Sequence, residues 1–233
     1  MLDFHHKVIF LTEIINILKK IHLFENISSN DIPELLKRLD AYVRSYHKNE
    51  YIMLTGDPVN FIGIILQGNI QIIQDDFHGN RNITASFDAG SIFAETFVCA
   101  GISALPVDII ANANTEIMFI DSRKIFAPCG GCCKYHHILI ANLLRIVATK
   151  NIILSQKLQC VSHKTTEEKI LSYLNAQAKL HNCTEFDIPF NRQALADYLG
   201  VERSAMSTVI NQLVKRKVIE TNRSHFKILH SIN

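Results

Sequence analysis

Three cysteines and two histidines lie close together near the middle of the chain and could bind a metal or carry out redox chemistry. They are Cys129, Cys132, Cys133, His136 and His137. Thiolate and imidazole are the ligands that zinc and other thiophilic metals prefer, and exposed, activated thiols can form a redox-switched disulfide. The single C-x-x-C has no second one to complete a site, and buried cysteine also packs as a small apolar residue. Metal binding, redox sensing and simple packing therefore remain open alternatives.

A second set of polar side chains recurs at helical spacing near the C-terminus. It consists of Arg203, Ser204, Ser207, Thr208 and Asn211. Their offsets of 0, 1, 4, 5 and 8 place them on one face of a helix. Arginine can bond guanine through two hydrogen bonds, and hydroxyl or amide groups suit other base edges of the major groove or phosphates. We interpret the face as a DNA-reading surface, the alternative being an ordinary solvated face.

The residues around this face have the pattern of a helix-turn-helix over 191–220. Asn191 can cap a first helix, Ala196 is small where two helices come close, and Gly200 can end that helix in the left-handed conformation. Val201 fills the corner, and a second helix opens at Glu202 or Arg203. Its predicted buried residues are Met206, Val209, Ile210 and Leu213.

The residues that follow predict a β-hairpin wing. Val218–Glu220 and Phe226–Leu229 are its strands, and Arg223 lies between them, where it would approach DNA phosphates. Other predicted contacts to DNA are Arg192, Gln193, Lys215, Arg216 and Lys217. Before this region, Thr165 or Thr166 with Glu168 predicts the cap of a helix running to Lys179.

Residues 134–162 contain no glycine or proline and predict one long helix. Its residues recur at steps of four and three, the heptad seam of a two-stranded coiled coil, and the polar Asn151 would fix the register. A long helix packed on its own domain is the alternative. The seam consists of Ile140, Leu144, Val147, Asn151, Leu154, Leu158 and Val161, and Cys133 and His137 extend it backwards.

The N-terminal part of the sequence indicates helical turns over 21–40, capped by Ser29 or Asn30, followed by a β-rich domain. Gly68-Asn69 is expected to be a hairpin turn. Several short strands at regular spacing indicate a sandwich or barrel-like domain. The predicted strands are Tyr51–Leu54, Phe61–Leu66, Ile70–Ile73, Ile83–Phe87, Val107–Ala111 and Glu116–Ile120.

The composition is that of an ordinary globular protein, with 48% hydrophobic and 20% charged residues in 233. Residues 1–128 carry 10 basic and 15 acidic side chains, whereas residues 160–233 carry 10 and 7. The C-terminal part is therefore the better candidate for binding a polyanion.

No uninterrupted apolar run approaches membrane-spanning length, and no signal peptide is apparent. We expect a cytoplasmic protein without a membrane partner. No catalytic motif is present, which predicts that the chain is not an enzyme.

The order of a β-rich sensor, a long helix and a winged helix-turn-helix resembles the Crp/Fnr family of bacterial regulators. The specific residues are Arg192-Gln193, Leu195-Ala196, Leu199-Gly200-Val201 and Arg203-Ser204, with the Gly56 and Gly68 turns. The resemblance implies an α+β protein: a β-roll (jelly-roll-like) sensor over 1–128, a dimerisation helix over 129–162 and the DNA-binding domain over 163–233. It further implies a homodimer on a palindromic double-stranded operator, with RNA polymerase as a partner. Ser204 and Thr208 replace the Glu and Arg that many members carry.

The sensor departs from the family's cyclic-AMP pattern. Ala94-Glu95 keeps the family's glutamate, but Leu105-Pro106 stands where those members have the phosphate-pairing arginine. A buried phosphate would lack its partner, so we expect no cyclic AMP and instead a more apolar effector. Members with an iron–sulfur cluster hold it mostly with N-terminal cysteines, whereas the first cysteine here is Cys99, which disfavours a cluster. The predicted effector pocket comprises Phe93, Glu95, Cys99, Leu105, Ile140 and Leu144, and simple core packing is the alternative.

The leading hypothesis is therefore a DNA-binding transcriptional regulator gated by an unidentified effector, either a small apolar molecule or a metal or redox signal. The cofactor is left unassigned. The alternative is a ligand- or metal-binding module whose helix-turn-helix contacts protein rather than DNA. Salt-dependent binding to duplex DNA would discriminate between the two.

Overall fold

The computed structural model describes residues 12–75, 81–127 and 134–229. The chain forms two compact units, Met1–Ala148 and Thr149–Asn233. The division falls within the long helix rather than at its two ends. Each unit has its own core.

The first unit begins with short helices. Helix α1 covers residues 12–18, a 3₁₀ turn follows at His22–Phe24, and α2 spans Ile32–Arg38. The residue that precedes α2 is Asp31, so the predicted caps Ser29 and Asn30 are wrong by one or two positions. Pro33 lies in the first turn of α2, where its missing N–H leaves no helical hydrogen bond unmade.

Two antiparallel four-stranded sheets follow and form the β-roll. Every predicted strand is present, and β1 and β6 are additional. The strands are β1 Tyr42–Tyr46, β2 Tyr51–Met53, β3 Phe61–Gln67, β4 Asn69–Asp75, β5 Arg81–Asp88, β6 Ile92–Phe93, β7 Asp108–Ala111 and β8 Thr115–Asp121. One sheet has the order β1-β8-β3-β6 and the other the order β2-β7-β4-β5.

The prediction of a hairpin at Gly68-Asn69 is wrong, because β3 and β4 belong to different sheets. Strand β3 pairs with β6 and β8, whereas β4 pairs with β5 and β7. Gly68 instead carries the chain from one sheet to the other with a φ of +87°, in the range expected of glycine. A Cβ atom there would lie 2.5 Å from the Asn114 carbonyl oxygen, which also excludes a side chain.

Strand alternation divides the apolar side chains of the roll between two cores. Ile62, Ile64 and Ile120 pack with the N-terminal helices, while Ile65 and Phe119 face the interior between the sheets. This is the period-two pattern of a strand that is buried on both sides. Two short helices complete the roll, α3 at Glu95–Cys99 and α4 at Ser122–Phe126.

Helix α5 spans Lys134–Ser162 and is anchored in the first unit by one face of its N-terminal half. Leu139 and Leu143 are buried there. Between them, the Asn142 amide donates to the carbonyl oxygens of Leu23 and Glu25, at 3.1 and 2.8 Å. These bonds satisfy a buried polar side chain and fix α5 against the 3₁₀ turn.

By length and composition, α5 is the one helix among the described residues that could cross a membrane. An 18-residue window within Tyr135–Ser162 has a mean hydropathy of 1.6 and is 17% buried. The sequence prediction counted uninterrupted apolar residues, and Arg145, Lys150 and Lys157 interrupt them. A window average tolerates such charges, whereas the uninterrupted apolar runs between them remain short, as the sequence predicts.

The second unit contains the end of α5 and a three-stranded sheet among helices. Its elements are α6 Thr166–His181, β9 Glu185–Asp187, α7 Arg192–Leu199, α8 Arg203–Lys215, β10 Ile219–Asn222 and β11 His225–Ile228. The strand order is β10-β11-β9. The predicted cap of α6 is confirmed, since Thr165 Oγ1 accepts from the Glu168 N–H at 3.2 Å and Glu168 accepts from the Thr165 N–H at 3.0 Å.

Candidate nucleic-acid interface

The helix-turn-helix is formed by α7 and α8, and its local signals act as the sequence predicts. Asn191 Oδ1 accepts a hydrogen bond from the Ala194 N–H at 2.9 Å and so caps α7. Gly200 ends that helix in the left-handed conformation, with a φ of 61°. Ala196 is fully buried, as close helix packing requires. These features set the turn that presents α8.

Helix α8 has one buried and one exposed face. Met206, Ile210 and Leu213 are buried in the core of the second unit, and Val209 packs against them. On the opposite side the predicted reading residues Arg203, Ser204, Thr208 and Asn211 are exposed, and Ser207 is half-buried. These five side chains are all polar, so the structure leaves this part of α8 accessible to a polar partner.

Glu202 caps α8 and was not singled out as a site residue from the sequence. Its carboxylate accepts hydrogen bonds from the N–H groups of Ser204 and Ala205, both at 2.8 Å, and from the Ser204 hydroxyl. The Ser204 side-chain bond, followed by the two backbone bonds, holds the pKa of Glu202 below its usual value. Because Asp, Asn, Ser and Thr are the preferred caps, a glutamate there gives a weak sequence signal.

The predicted wing is present as the hairpin of β10 and β11. Asn222 pairs with His225, so the turn consists of Arg223 and Ser224, and Arg223 has a φ of 56°. The third strand, β9, pairs with β11 and completes the sheet. Arg223 therefore lies at the exposed tip, where its charge is available to a ligand.

Arg192 is held by the wing rather than extended into solvent. Its Nη2 donates to Thr221 Oγ1 at 3.1 Å, and its Cζ lies 5.0 Å from the centre of the Phe226 ring. Burial lowers its pKa. Among the described side chains, its Nη1 is a buried nitrogen with no hydrogen-bond partner. A guanidinium with an unsatisfied donor and no anionic partner favours a negatively charged ligand nearby.

Four of the predicted contact residues line one basin of about 590 Å³. They are Arg192, Gln193, Arg203 and Arg223, which come from the starts of α7 and α8 and from the wing tip. Gln193 also donates to Asp197 at 2.8 Å. Three guanidinium groups around one concavity create a positive field suited to phosphate.

The basic residues after α8 do not join this basin. Arg216 is bonded through Nη1 to both carboxylate oxygens of Glu167, at 2.8 and 3.0 Å. It therefore ties the end of α8 to the start of α6. Lys215 and Lys217 are exposed beside it.

In the first unit, a separate cavity of about 410 Å³ contains part of the predicted effector pocket. Cys99, Ile140 and Leu144 line it, together with Phe126 and Leu143. Phe93 and Leu105 instead pack in the roll interior, where Gly63 leaves room for the Phe93 ring. Glu95 is buried and accepts from Thr96 Oγ1 at 3.0 Å. The structure thus separates the predicted pocket into an apolar cavity and buried core residues.

The cysteine–histidine cluster falls largely outside the described residues, because Cys129, Cys132 and Cys133 are not among them. His136 is buried, and its Nε2 contacts the Ile125 carbonyl oxygen, whereas His137 is exposed. Within 12–75, 81–127 and 134–229, no three His, Cys, Asp or Glu side chains are grouped to hold a metal ion.

The predicted seam of α5 is largely uncovered. Leu144, Leu154 and Leu158 are 69, 63 and 65% exposed. Asn151 is exposed as well, while Ile140 and Val147 are half-buried. Leucines this exposed at heptad spacing form an apolar stripe that the described residues leave uncovered.

Comparison with known proteins finds a matching family for the β-roll and for the helix-turn-helix region. The Cyclic nucleotide-binding domain matches residues 43–128, and the Crp-like helix-turn-helix domain matches residues 168–230. The Transcriptional activator protein FnrL of Cereibacter sphaeroides is 26% identical over 188 residues, which cover 76% of this chain and 72% of that protein.

Solved structures show the same fold. The c-di-GMP responsive global regulator CLP of Xanthomonas campestris has a TM-score of 0.50 at 14% identity, covering 88% of this chain and 100% of that one. A cyclic nucleotide-binding domain from Methylobacillus flagellatus has a TM-score of 0.51 at 20% identity, covering 60% and 78%. The Cyclic nucleotide-binding domain followed by the Crp-like helix-turn-helix domain, two matches that together cover most of the chain, show that the chain belongs to the Crp/Fnr family of transcriptional regulators.

Proposed function

We propose that the protein is a homodimeric, effector-gated regulator that reads a palindromic operator with the exposed face of α8. The observation that carries this proposal is the accessible face of Arg203, Ser204, Ser207, Thr208 and Asn211, which begins beside the arginine-lined basin. A polar reading surface adjoining a positively charged concavity has the composition that major-groove recognition needs.

The residues divide into two roles. Arg203, at the first position of α8, is the base reader, and its bidentate contact to guanine would contribute about 1–3 kcal/mol of discrimination. Arg223 at the wing tip and Arg192 in the basin serve the phosphate backbone, supported by Gln193. The positive charge of Arg192, which lines the basin, supports this role.

The dimer forms through α5. Its seam residues Leu144, Leu154 and Leu158 are exposed in the isolated chain, and burying apolar surface is the main driving force for association. Two copies of α8 then match the two half-sites of an operator.

The role of α5 as the dimer helix divides the chain into three parts, the sensor 1–128, the dimerisation helix 129–162 and the DNA-binding domain 163–233. RNA polymerase is the proposed partner at the promoter, and the cytoplasm is the proposed location.

The effector site is the cavity lined by Cys99, Phe126, Ile140 and Leu144. Its lining suits an apolar small molecule, and among the described residues that line it there is no arginine or lysine to pair with a cyclic phosphate. Two of its lining residues, Ile140 and Leu144, also belong to the proposed seam. An effector that prefers one state of this seam would shift the population of the DNA-binding form.

The test is binding of the full-length protein to duplex DNA selected from a random pool, measured over a range of salt concentrations. Affinity should fall steeply with salt, and Arg203→Ala should lower specific affinity by about 1–3 kcal/mol. Arg38→Ala is the matched control, because Arg38 is an exposed arginine of α2 in the other unit. An Arg203→Ala variant that binds the selected site like the wild type would remove the assigned role.

A further inference from the structure

Two hydroxyl groups on the exposed face of α8 already donate their hydrogens within the protein. Ser204 Oγ is bonded to the Glu202 carboxylate. One turn further along, Thr208 Oγ1 is bonded to the Ser204 carbonyl oxygen at 3.0 Å. Both side chains are exposed, so their oxygens still face the surroundings.

The direction of these two bonds is fixed by chemistry. An ionised carboxylate and a backbone carbonyl carry no hydrogen to donate, so each hydroxyl must be the donor. A hydroxyl has one hydrogen and two lone pairs. Once the hydrogen is donated within the protein, only the lone pairs are available to an outside partner. Ser204 and Thr208 therefore act outward as acceptors, whereas Arg203 can act only as a donor.

We infer that α8 reads amino-bearing bases, adenine or cytosine, at the positions that Ser204 and Thr208 face, next to a guanine read by Arg203. This inference rests on the proposed function and specifies its DNA target. In the major groove, adenine N6 and cytosine N4 offer donors, whereas guanine O6 and thymine O4 offer acceptors. An acceptor-only side chain can bond the first pair and not the second.

The hydrogen bond that the hydroxyl donates within the protein is stronger at Ser204 than at Thr208. A hydroxyl-to-carboxylate bond is charge-assisted and roughly twice as strong as a neutral one. The same carboxylate also accepts two backbone N–H groups of the first turn, so it is held in place from three directions. Turning the Ser204 hydrogen toward DNA would leave the carboxylate without one donor. The Thr208 bond to a carbonyl is neutral, so its position should be read less strictly.

Glu202 is accordingly a positioning residue, because it determines that the Ser204 hydroxyl acts toward DNA as an acceptor. Replacing its carboxylate by an amide, Glu202→Gln, introduces an NH₂ group that can donate to Ser204 Oγ. The Ser204 hydrogen is then free to point outward. The variant should therefore prefer an acceptor base, guanine or thymine, where the wild type prefers adenine or cytosine. Glu202→Asp keeps a carboxylate at the cap and should keep the wild-type preference.

The experiment is selection of duplex DNA from a random pool by the full-length wild type, Glu202→Gln, Glu202→Asp and Ser204→Ala, each first checked for cooperative thermal unfolding. The position facing Ser204 is the one whose preference disappears in Ser204→Ala. There the wild type and Glu202→Asp should enrich adenine or cytosine several-fold on one strand, and Glu202→Gln should enrich guanine or thymine at the same position of that strand.

The outcomes separate this inference from the proposed function. Enrichment of the same base by the wild type and Glu202→Gln at the Ser204 position would overturn the inference while leaving DNA reading by α8 intact. A Ser204→Ala variant with an unchanged base profile would overturn it as well. A wild-type chain that enriches no sequence would defeat the proposed function itself. If Glu202→Gln does not fold, an unchanged base profile in Ser204→Ala still overturns the inference.

Discussion

The guanidinium of Arg192 lies over the ring of Phe226, with its Cζ atom 5.0 Å from the ring centre, and joins the start of α7 to the wing. The hydrogen bond from Nη2 to Thr221 Oγ1 reaches the neighbouring strand of the same hairpin. Arg192 thus has a structural contact in addition to its proposed phosphate contact. The planar guanidinium serves both, because it can stack with its face and donate with its edge.

The two contributions of Arg192 can be separated by substitution. Arg192→Lys should lose the planar stack and the directed bond to Thr221, lowering the free energy of unfolding by about 1–2 kcal/mol. It retains the charge, so DNA affinity should fall less than in Arg192→Met, which retains much of the apolar packing and loses the charge. Urea unfolding and DNA titration measure the two effects. Equal loss of DNA affinity in both variants would contradict a phosphate role carried by charge.

Gly68 should be the least replaceable of the positive-φ glycines in the described roll. An alanine there combines a φ of +87° with a Cβ placed 2.5 Å from both Asn114 O and Thr115 Oγ1. Gly90 is the matched control, since its φ is +89° and nothing lies within 4 Å of an added Cβ. Gly90→Ala should cost about 1 kcal/mol from backbone strain alone, and Gly68→Ala should cost distinctly more. Thermal unfolding of the two variants makes the comparison, and equal shifts in Tm would count against the crowding at Gly68.

The helix-turn-helix was predictable because its signals are local. Asn191 caps the start of α7 with its side chain, and Gly200 ends the helix in the left-handed conformation. The apolar spacing of Met206, Ile210 and Leu213 determines which face of α8 is buried. The strands of the roll were predictable from β-branched runs in the same way. Strand β1 was missed because Arg44 and Ser45 interrupt its apolar pattern.

The features that sequence reasoning missed depend on contacts between distant residues. Gly68 looked like a hairpin turn because the sequence shows a break between two strands, but it does not show that their partners lie in different sheets. Arg192 looked like a surface contact because the wing that covers it is formed almost thirty residues later. The role of Glu202 was missed because glutamate is an uncommon cap, although its position just before α8 was a usable signal.

Helix α5 offers a test of the homodimer with a control on the same helix. Leu154→Glu places a charge in the proposed seam and should convert the dimer to monomer, because desolvating a carboxylate opposes association. Ile152→Glu changes an equally apolar residue that is 56% exposed but outside the heptad positions, and it should leave the dimer intact. Sedimentation equilibrium reports both. Dissociation by Ile152→Glu with an unaffected Leu154→Glu would place the interface on a different face of α5.

The wing sheet should carry a pH-dependent contribution to stability through His225. Its Nε2 faces Glu185 Oε1 and its Nδ1 faces Asp187 Oδ1, each at 3.2 Å, while Lys227 also pairs with Glu185. Both ring nitrogens can donate only when the imidazole is protonated. The hydrogen bond to Glu185 first, and that to Asp187 second, raise the pKa of His225 above 6.5.

The sign of the effect follows from the raised pKa. The stabilising contribution is complete below the unfolded-state pKa of 6.5 and is lost as the pH rises through the higher folded-state pKa. His225→Gln should therefore be less stable than the wild type at about pH 6, and the difference should shrink at about pH 9. Urea unfolding of both proteins across this range measures it. A difference that grew with pH would mean that the neutral imidazole is the stabilising form, and it would remove the paired arrangement with Glu185 and Asp187 as the cause.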